Sequence, residues 1–554
     1  MYMKQLNTQV TCTYDDPVAQ TKQGKLRGLK IDSTYIFRGI KYANARRFHP
    51  PVEVEPWEGV KEAFQFGYVC SELNTPLPHD QFNVPHFFYP QNENCQYLNI
   101  WTQHLDKDAK RPVMVWIHGG GWFSGSSVEI LSYDGENLSA FGDVVVVSLN
   151  HRLNVLGYLD LSQYGEQYRH SAQVGLMDLV AALQWVRENI ENFGGDPENV
   201  TIFGQSGGGG KVLALMQTPA ADGLYHRAIM ESGGPSGEGG PQAVETRRQI
   251  NQEAAALTLQ YLGIAPENVS QIETVDWYDL AQATMNAIYT LGQEGKPVNW
   301  APLPDGEYYL GHPLDFGWRQ ESLQVPMLVG SVLGEFSGNF DRKIGDSIKN
   351  KWDAQTMDKH LTEFFGDKKE EMVRLFREAY PERNLADVLF LDTNLRRGFL
   401  RFAKERAKAG GDTWNWMFNL ESPFNYGTVA WHNAEEPYVF HNAAYIEAQY
   451  IPQVSERLED QMAGAWVRFA TTGDPNFPGI PAWPKATAES VPTMRFDVVT
   501  DLKVDYDKAL MEAYPDPPQK GFPGSKKMGA IFGVKPEDPE ALTGPESSRT
   551  RRIT

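Results

Sequence analysis

Apolar residues along this chain follow two different periods, and the period switches several times between residues 110 and 335. RPVMVWIHGGG (111–121) is a run of strand-forming residues that stops at three glycines, and DVVVVSLNHRL (143–153) is a second such run. VTIF (200–203) is a third, and HRAIMESGG (226–234) and VPMLVGS (325–331) supply two more. Runs this continuously apolar leave no face for water, which predicts strands buried on both sides, as in a parallel sheet. Between the second and third runs the period lengthens. In QVGLMDLVAALQWVRENIENFGGDP (173–197), Val174, Met177, Val180, Ala181, Gln184 and Trp185 follow steps of three and four. That spacing predicts a helix, which stops at Gly194-Gly195 with Pro197 beyond. KVLALMQTP predicts a second helix halted at Pro219, and ERLEDQMAGAWVRFATTG (456–473) a later one covering the sheet. Strands alternating with helices require crossovers, so the fold class is α/β with a mainly parallel sheet.

Between the third strand and its helix lies GQSGGGG (204–210). A serine on a sharp strand-to-helix turn lifts its hydroxyl above the sheet edge, in strained backbone geometry. The turn needs small residues two before and two after it, and Gly204 and Gly208 are those residues around Ser206. Gly-x-Ser-x-Gly is short and recurs by chance, so the strand before it and the helix after it carry most of the weight. The rival reading, a phosphate-binding turn, lacks a following Gly-Lys-Ser/Thr and fails the dinucleotide pattern. HGGGW (118–122) adds donors for an oxyanion. By the same template these are the amides of Gly120, Gly121 and Gly207. His118, on that side, reads as an organiser of the loop and not as a base.

Composition narrows the picture further. The chain has 554 residues, 41 % hydrophobic and 22 % charged, enough to bury a full core, and its formal charge is −20. That charge argues against nucleic acid or an anionic membrane as the main partner. No run approaches the roughly 18 apolar residues that span a bilayer. MYMKQLNTQVTCTYDD has no apolar core of the kind an export leader needs, which predicts a cytoplasmic protein, or a secreted one whose leader is absent. No HExxH or paired CxxC suggests a metal. Of three cysteines, Cys70 and Cys95 would close a loop of about 26 residues if oxidised, and reduced thiols fit equally well. From about residue 516 proline, glycine and charge replace apolar periodicity, so 1–515 reads as one domain and 516–554 as an extended or flexible tail.

HGGGW, NHRLNVLGYL (150–159), GLMDLVAALQWVRENIENFGGDPENVTIFGQSGG (175–208) and RAIMESGG (227–234) together resemble the type-B carboxylesterases, the cholinesterase-like branch of the α/β-hydrolases. FRGIKYA (37–43), ENCQYLNIW (93–101), PLPDG (302–306) and AWHNAEEPYVF (430–440) extend the likeness over most of residues 20 to 515. It implies a large, mostly parallel sheet with helices on both faces and helical insertions capping the site. The resemblance also supplies the rest of a triad: Glu335, in VPMLVGSVLGEFSGNF, as the acid and His432 as the base. The turn at Glu335 departs from the family's usual Asp-Glu-Gly wording. The order Ser206, Glu335, His432 is that expected of an α/β-hydrolase. By the same likeness Ser232 lies near the histidine, and Cys70 and Cys95 match a pair that is disulfide-bonded in secreted relatives. The implied activity is hydrolysis of small to medium alkyl or aryl esters without metal or cofactor. Feruloyl- or cinnamoyl-type aromatic esters, carbamates and amides suit the same triad. A non-catalytic, cholinesterase-like binding domain is the alternative from another class, and the presence of Ser206, His432 and HGGG counts against it. Gln205 stands where many members have glutamate, which weakens the case for a cationic substrate. Trp122, Phe123, Phe336 and Trp431 suggest an apolar cleft.

Overall fold

The continuous apolar runs become strands whose alternate side chains feed two separate cores. Val113, Val115, Ile117, Val145, Val147, Leu149, Val200 and Ile202 join one core, while Met114, Trp116, Val144, Val146 and Phe203 join the other. A strand with period-two alternation and no polar face has to be covered twice. The helices Val174–Asn189, Gly207–Met216 and Asn394–Lys408 cover the first face, and Ser455–Thr472 with Lys369–Ala379 covers the second.

This is a computed structural model, and it describes residues 9–73, 84, 86–336 and 346–515; the tail expected at 516–554 lies outside the described residues. The described residues hold fifteen strands. They are β1 (Val10–Thr11), β2 (Val18–Gln20), β3 (Lys25–Arg27), β4 (Leu29–Ile31), β5 (Thr34–Lys41), β6 (Val60–Glu62), β7 (Tyr97–Thr102) and β8 (Arg111–Ile117). There follow β9 (Val145–Leu149), β10 (Gly195–Gln205), β11 (Arg227–Glu231), β12 (Met327–Val332), β13 (Thr413–Phe418), β14 (Pro492–Phe496) and β15 (Asp501–Val504). Twelve form one sheet in the order β1-β4-β5-β7-β9-β8-β10-β11-β12-β13-β14-β15, and β2-β3-β6 form a small second sheet. From β9 to β14 every neighbouring pair is parallel, and antiparallel strands flank this centre on both sides.

The elements expected from the pattern are present with shifted ends. The helix at 173–197 stops at Asn189, and a 3₁₀ turn, Ile190–Phe193, carries the chain to Gly194, whose φ of 74° makes the left-handed stop. β10 then begins at Gly195, earlier than VTIF suggests, because Gly195 already pairs with Arg111, ahead of a register shift before Val200. Two insertions interrupt the alternation. Pro241–Tyr261 and Trp277–Gln293 lie between β11 and β12, and Ala354–Phe365 and Lys369–Ala379 between β12 and β13. The first pair packs into a third cluster with Leu153, Tyr158 and Trp300, against which the half-buried Trp122 and Phe123 rest.

Parallel strands deliver their C-terminal ends to one edge, where open α/β sheets place their chemistry. Ile117 leads there to His118, Gln205 to Ser206, Glu231 to Ser232 and Val332 towards Glu335. Beneath this edge three rings tie the segments together. Trp116 of β8 lies 5.0 Å from Phe203 of β10 and 5.0 Å from Phe440, eight residues after His432, and Phe203 lies 5.5 Å from Phe440. All three are fully buried. Phe440→Ala is expected to lower unfolding free energy by about 3–5 kcal/mol, read as a lower urea midpoint with unchanged slope, because the Trp116 and Phe203 rings beside the cavity are fixed to paired strands of the sheet and cannot close it.

Candidate active site

Ser206 has φ 56° and ψ −122°, a conformation that costs a non-glycine residue about 1–3 kcal/mol and needs support from its surroundings. Its N–H donates to the Glu231 carbonyl at 2.8 Å, and its own carbonyl accepts from the Gly210 N–H at 3.2 Å. The rest of the support is close backbone packing that excludes side chains. A Cβ at Gly208 would lie 2.0 Å from the Ile117 carbonyl oxygen, one at Gly204 2.5 Å from the same atom, and one at Gly233 1.7 Å from the Ser206 carbonyl. Glycine at 204 and 208 therefore lets β8, β10 and the helix behind Ser206 meet at one point. That helix, Gly207–Met216, starts at the turn, so its first amides face outwards unpaired within the helix.

The HGG loop arrives at the same place from β8. A Cβ on Gly207 would lie 2.2 Å from the Gly121 carbonyl oxygen and 2.5 Å from its nitrogen, and one on Gly119 3.4 Å from Ser206 Cβ. Gly120 and Gly121 have φ of 77° and 64°, and the Gly120 carbonyl accepts from the N–H groups of Phe123 and Ser124 at 3.2 and 3.0 Å. The loop thus turns back on itself with its glycine backbone against that of Gly207. His118 is fully buried, its Nδ1 lies 3.0 Å from the Gly119 carbonyl, and its ring stacks on His151 at 5.2 Å. Burial, with Lys211 nearby, pulls its pKa well below the ordinary imidazole value, so the ring is neutral and structural.

Glu335 and His432 are brought together although 97 residues separate them. His432 Nδ1 hydrogen-bonds Glu335 Oε2, and the second carboxylate oxygen accepts from the Val332 N–H at 2.9 Å. The main chains are also joined: His432 N–H donates to the Glu335 carbonyl at 3.0 Å, and Gly334 N–H to the Ala430 carbonyl at 2.9 Å. Glu335 has φ 44°, a second strained non-glycine position at this edge. The departure from the family's wording has a local cause, since a Cβ at Gly334 would lie 2.8 Å from Val429 Cγ1 and 2.9 Å from the Ala430 oxygen. A carboxylate that accepts from Nδ1 assigns the proton to that nitrogen and leaves Nε2 the basic one. Both side chains are nearly sealed from solvent, at 0 % and 2 % exposure. The Phe336 ring stacks on the imidazole at 4.1 Å.

Other sequence expectations fare differently. Ser232 does lie at this edge, with φ 47°, but its hydroxyl points to Glu435 Oε1 at 3.4 Å. Trp431 is fully buried in the core with Phe418 and Tyr438, so it does not line a cleft; Trp122, Phe123 and Phe336 remain partly exposed. Cys70 and Cys95 are buried, unbridged thiols in hydrogen-bond contact, and Cys70 Sγ also accepts from the Leu153 N–H at 3.3 Å. Sequence reading passed over two groups of buried ionisable residues. One is Lys211, in the helix behind Ser206. The other is Glu231, Glu435 and Glu436, packed below Ser232 and His432. Burial raises the pKa of Glu231 to about 8, and burial with mutual repulsion raises those of Glu435 and Glu436 well above the ordinary range. Trp466 Nε1 donates to Glu231 at 2.7 Å and the Tyr133 hydroxyl to Glu436 at 3.2 Å.

The carboxylesterase family pattern matches residues 15–512, and the chain belongs to that family as a serine carboxylesterase of the α/β-hydrolase fold. Among particular relatives, the para-nitrobenzyl esterase of Bacillus subtilis (strain 168) is 32 % identical over 519 residues, covering 91 % of this chain and 99 % of the relative. The phenmedipham hydrolase of Pseudarthrobacter oxydans is 30 % identical over 505 residues, covering 85 % and 93 %. A solved esterase from anaerobic Clostridium hathewayi, described as able to hydrolyse aliphatic aromatic polyesters, superposes with a TM-score of 0.84 at 45 % identity, over 91 % of this chain and 99 % of that one.

Two outcomes follow from this geometry. Gly208→Ala is expected to abolish most esterase activity and lower the melting temperature, because its methyl group meets fixed backbone; Gly292→Ala, whose Cβ meets nothing within 4 Å, serves as the control and leaves both unchanged or slightly raises stability. The second outcome concerns pH. Below about 4.5 the Glu231 carboxyl holds its proton in both the folded and unfolded states, and folding loses nothing. Between there and about 8 only the unfolded state releases it, so stability falls as pH rises. Glu231→Gln keeps the acceptor for Trp466 and should flatten that decline, measured as urea midpoints from pH 5 to 8.

Proposed function

We propose that the chain hydrolyses carboxylic esters through a Ser206–His432–Glu335 triad and an acyl-serine intermediate. The observation that supports this reading most is the pairing of His432 Nδ1 with Glu335 at the edge where Ser206 is held at positive φ. In this reading Ser206 Oγ attacks the ester carbonyl while His432 Nε2 takes its proton. Glu335 fixes the tautomer and stabilises the imidazolium. The oxyanion is received by the amides of Gly120, Gly121 and Gly207, the alcohol leaves with the proton from His432, and water repeats the route on the acyl-enzyme.

For the substrate we infer an alkyl or aryl ester with an apolar acyl or alcohol part. Three partly exposed aromatic residues, Trp122, Phe123 and Phe336, adjoin the loop and the histidine, and Gln205 brings no carboxylate to attract a cationic alcohol. Likeness to the Clostridium esterase, described as able to hydrolyse aliphatic aromatic polyesters, supports esters of aromatic acids within that class. Carbamates and amides would use the same groups with a poorer leaving step.

Ser206→Ala is expected to lower kcat on p-nitrophenyl butyrate by at least about 10⁴-fold, and Glu335→Gln by about 10⁴-fold, with unchanged circular dichroism. Retained turnover in Ser206→Ala would reject the triad. Rates across p-nitrophenyl esters of increasing acyl length, with methyl ferulate and a bis-hydroxyalkyl terephthalate as aryl esters, should favour the aryl substrates; a sharp optimum at acetate would overturn that preference.

A further inference from the structure

Lys211 is a residue the triad does not use. It lies one turn into the helix Gly207–Met216, fully buried, flanked by Val212, Leu213, Ala214 and Leu215, which are buried too. An amine in such a place is costly unless its N–H groups are matched. Two matches are present, and both belong to the HGG loop: Lys211 Nζ donates to the His118 carbonyl at 2.9 Å and to the Gly119 carbonyl at 3.3 Å. Its Nζ also stands 5.8 Å from the centre of the Trp122 ring.

We propose that Lys211 is a positioning residue for the oxyanion hole, aiming the Gly120 amide by holding the carbonyl on the same peptide. The reasoning is stereochemical and rests on the triad reading given above. A trans peptide is planar, with its C=O and the following N–H pointing in opposite directions. Fixing the Gly119 carbonyl on Lys211 therefore turns the Gly120 N–H away from the helix interior, and fixing the His118 carbonyl does the same for Gly119. Glycines at φ 77° and 64° have no side chain to hold that orientation themselves. The anchor also comes from the helix whose first residue is Gly207. One element thus carries the third amide and sets the direction of the first. His118 Nδ1 approaches the same Gly119 carbonyl at 3.0 Å, so the carbonyl is gripped from two sides. Burial lowers the lysine pKa to about 7, but a neutral amine still has two N–H groups, and the two bonds survive deprotonation.

The test compares Lys211→Met, which fills the same volume without donors, with Lys211→Gln, whose amide N–H₂ offers them. Lys211→Met should lower kcat about 10²–10³-fold, the cost of one misplaced oxyanion donor, with KM within about twofold. Lys211→Gln should recover part of the loss, and it carries the test alone should the methionine variant fail to fold. A trifluoromethyl ketone supplies the second readout, since Ser206 adds to its carbonyl and the resulting hemiketal oxygen occupies the oxyanion position. Its affinity should fall in step with kcat/KM, while binding of the matching trifluoromethyl alcohol, which forms no oxyanion, stays constant. Wild-type kcat in Lys211→Met, or a loss of kcat with unchanged hemiketal affinity, would overturn the proposal. Loss of turnover in Ser206→Ala together with wild-type behaviour of Lys211→Met would sink this inference and leave the triad standing; activity in Ser206→Ala would sink both.

Discussion

Everything at the functional edge depends on backbone meeting backbone without side chains between. β8 and β10 are neighbours in the sheet, and where they end the chain has to turn twice within a few ångströms. The Ile117 carbonyl sits where Cβ atoms of both Gly204 and Gly208 would be, and Gly121 sits where a Cβ of Gly207 would be. That contact brings the Ser206 turn and the HGG loop together, and it holds strained torsions that an isolated peptide would relax. The strain is distributed: Ser206, Ser232 and Glu335, each just beyond a central strand, all have positive φ. Such positions persist because two cores grip the strands from both faces.

The electrostatic setting follows from the same burial. Glu231, Glu435 and Glu436 lie behind the site with raised pKa values, so at neutral pH they serve as hydrogen-bonding acids more than as charges. Glu335 instead pairs with the imidazole. The Val332 amide and His432 together satisfy both of its oxygens. That carboxylate faces the imidazole, and in the proposed mechanism that is where an imidazolium forms. Lys211 and His118 complete the arrangement on the opposite side, where carbonyl oxygens need donors.

The central strands were legible in the sequence because burial on both faces writes itself as unbroken Val and Ile, as in VVVVSL. The turn at Ser206 was legible because its Gly-x-Ser-x-Gly falls between a readable strand and a readable helix. β13, TWNWMF, was missed: its asparagine and two tryptophans do not read as a buried run, although Asn415 is satisfied by Arg396 and by the Val329 carbonyl. The short strands β1 to β4 and β6 carry too few residues for any period to show. Glu335 and His432 came from family likeness alone, since nothing local reveals that β12 and β13 are neighbours whose following loops meet. Lys211 was passed over because a lysine near a helix start normally faces water; its apolar followers, VLALM, were the available signal. Trp431 turned out to be core: a tryptophan beside a candidate histidine suits a cleft wall but is more often plain packing, and only the fold separates the two.

The central claim is that one edge of the sheet presents a nucleophilic oxygen beside a cradle of glycine amides. A crystal structure of the protein after reaction with a p-nitrophenyl alkylphosphonate tests it most directly. The account predicts phosphorus bonded to Ser206 Oγ, with the phosphoryl oxygen within hydrogen-bond distance of the amides of Gly120, Gly121 and Gly207 and His432 Nε2 facing the ester oxygen. Phosphorus on another residue, or a phosphoryl oxygen turned away from those glycines, would contradict it.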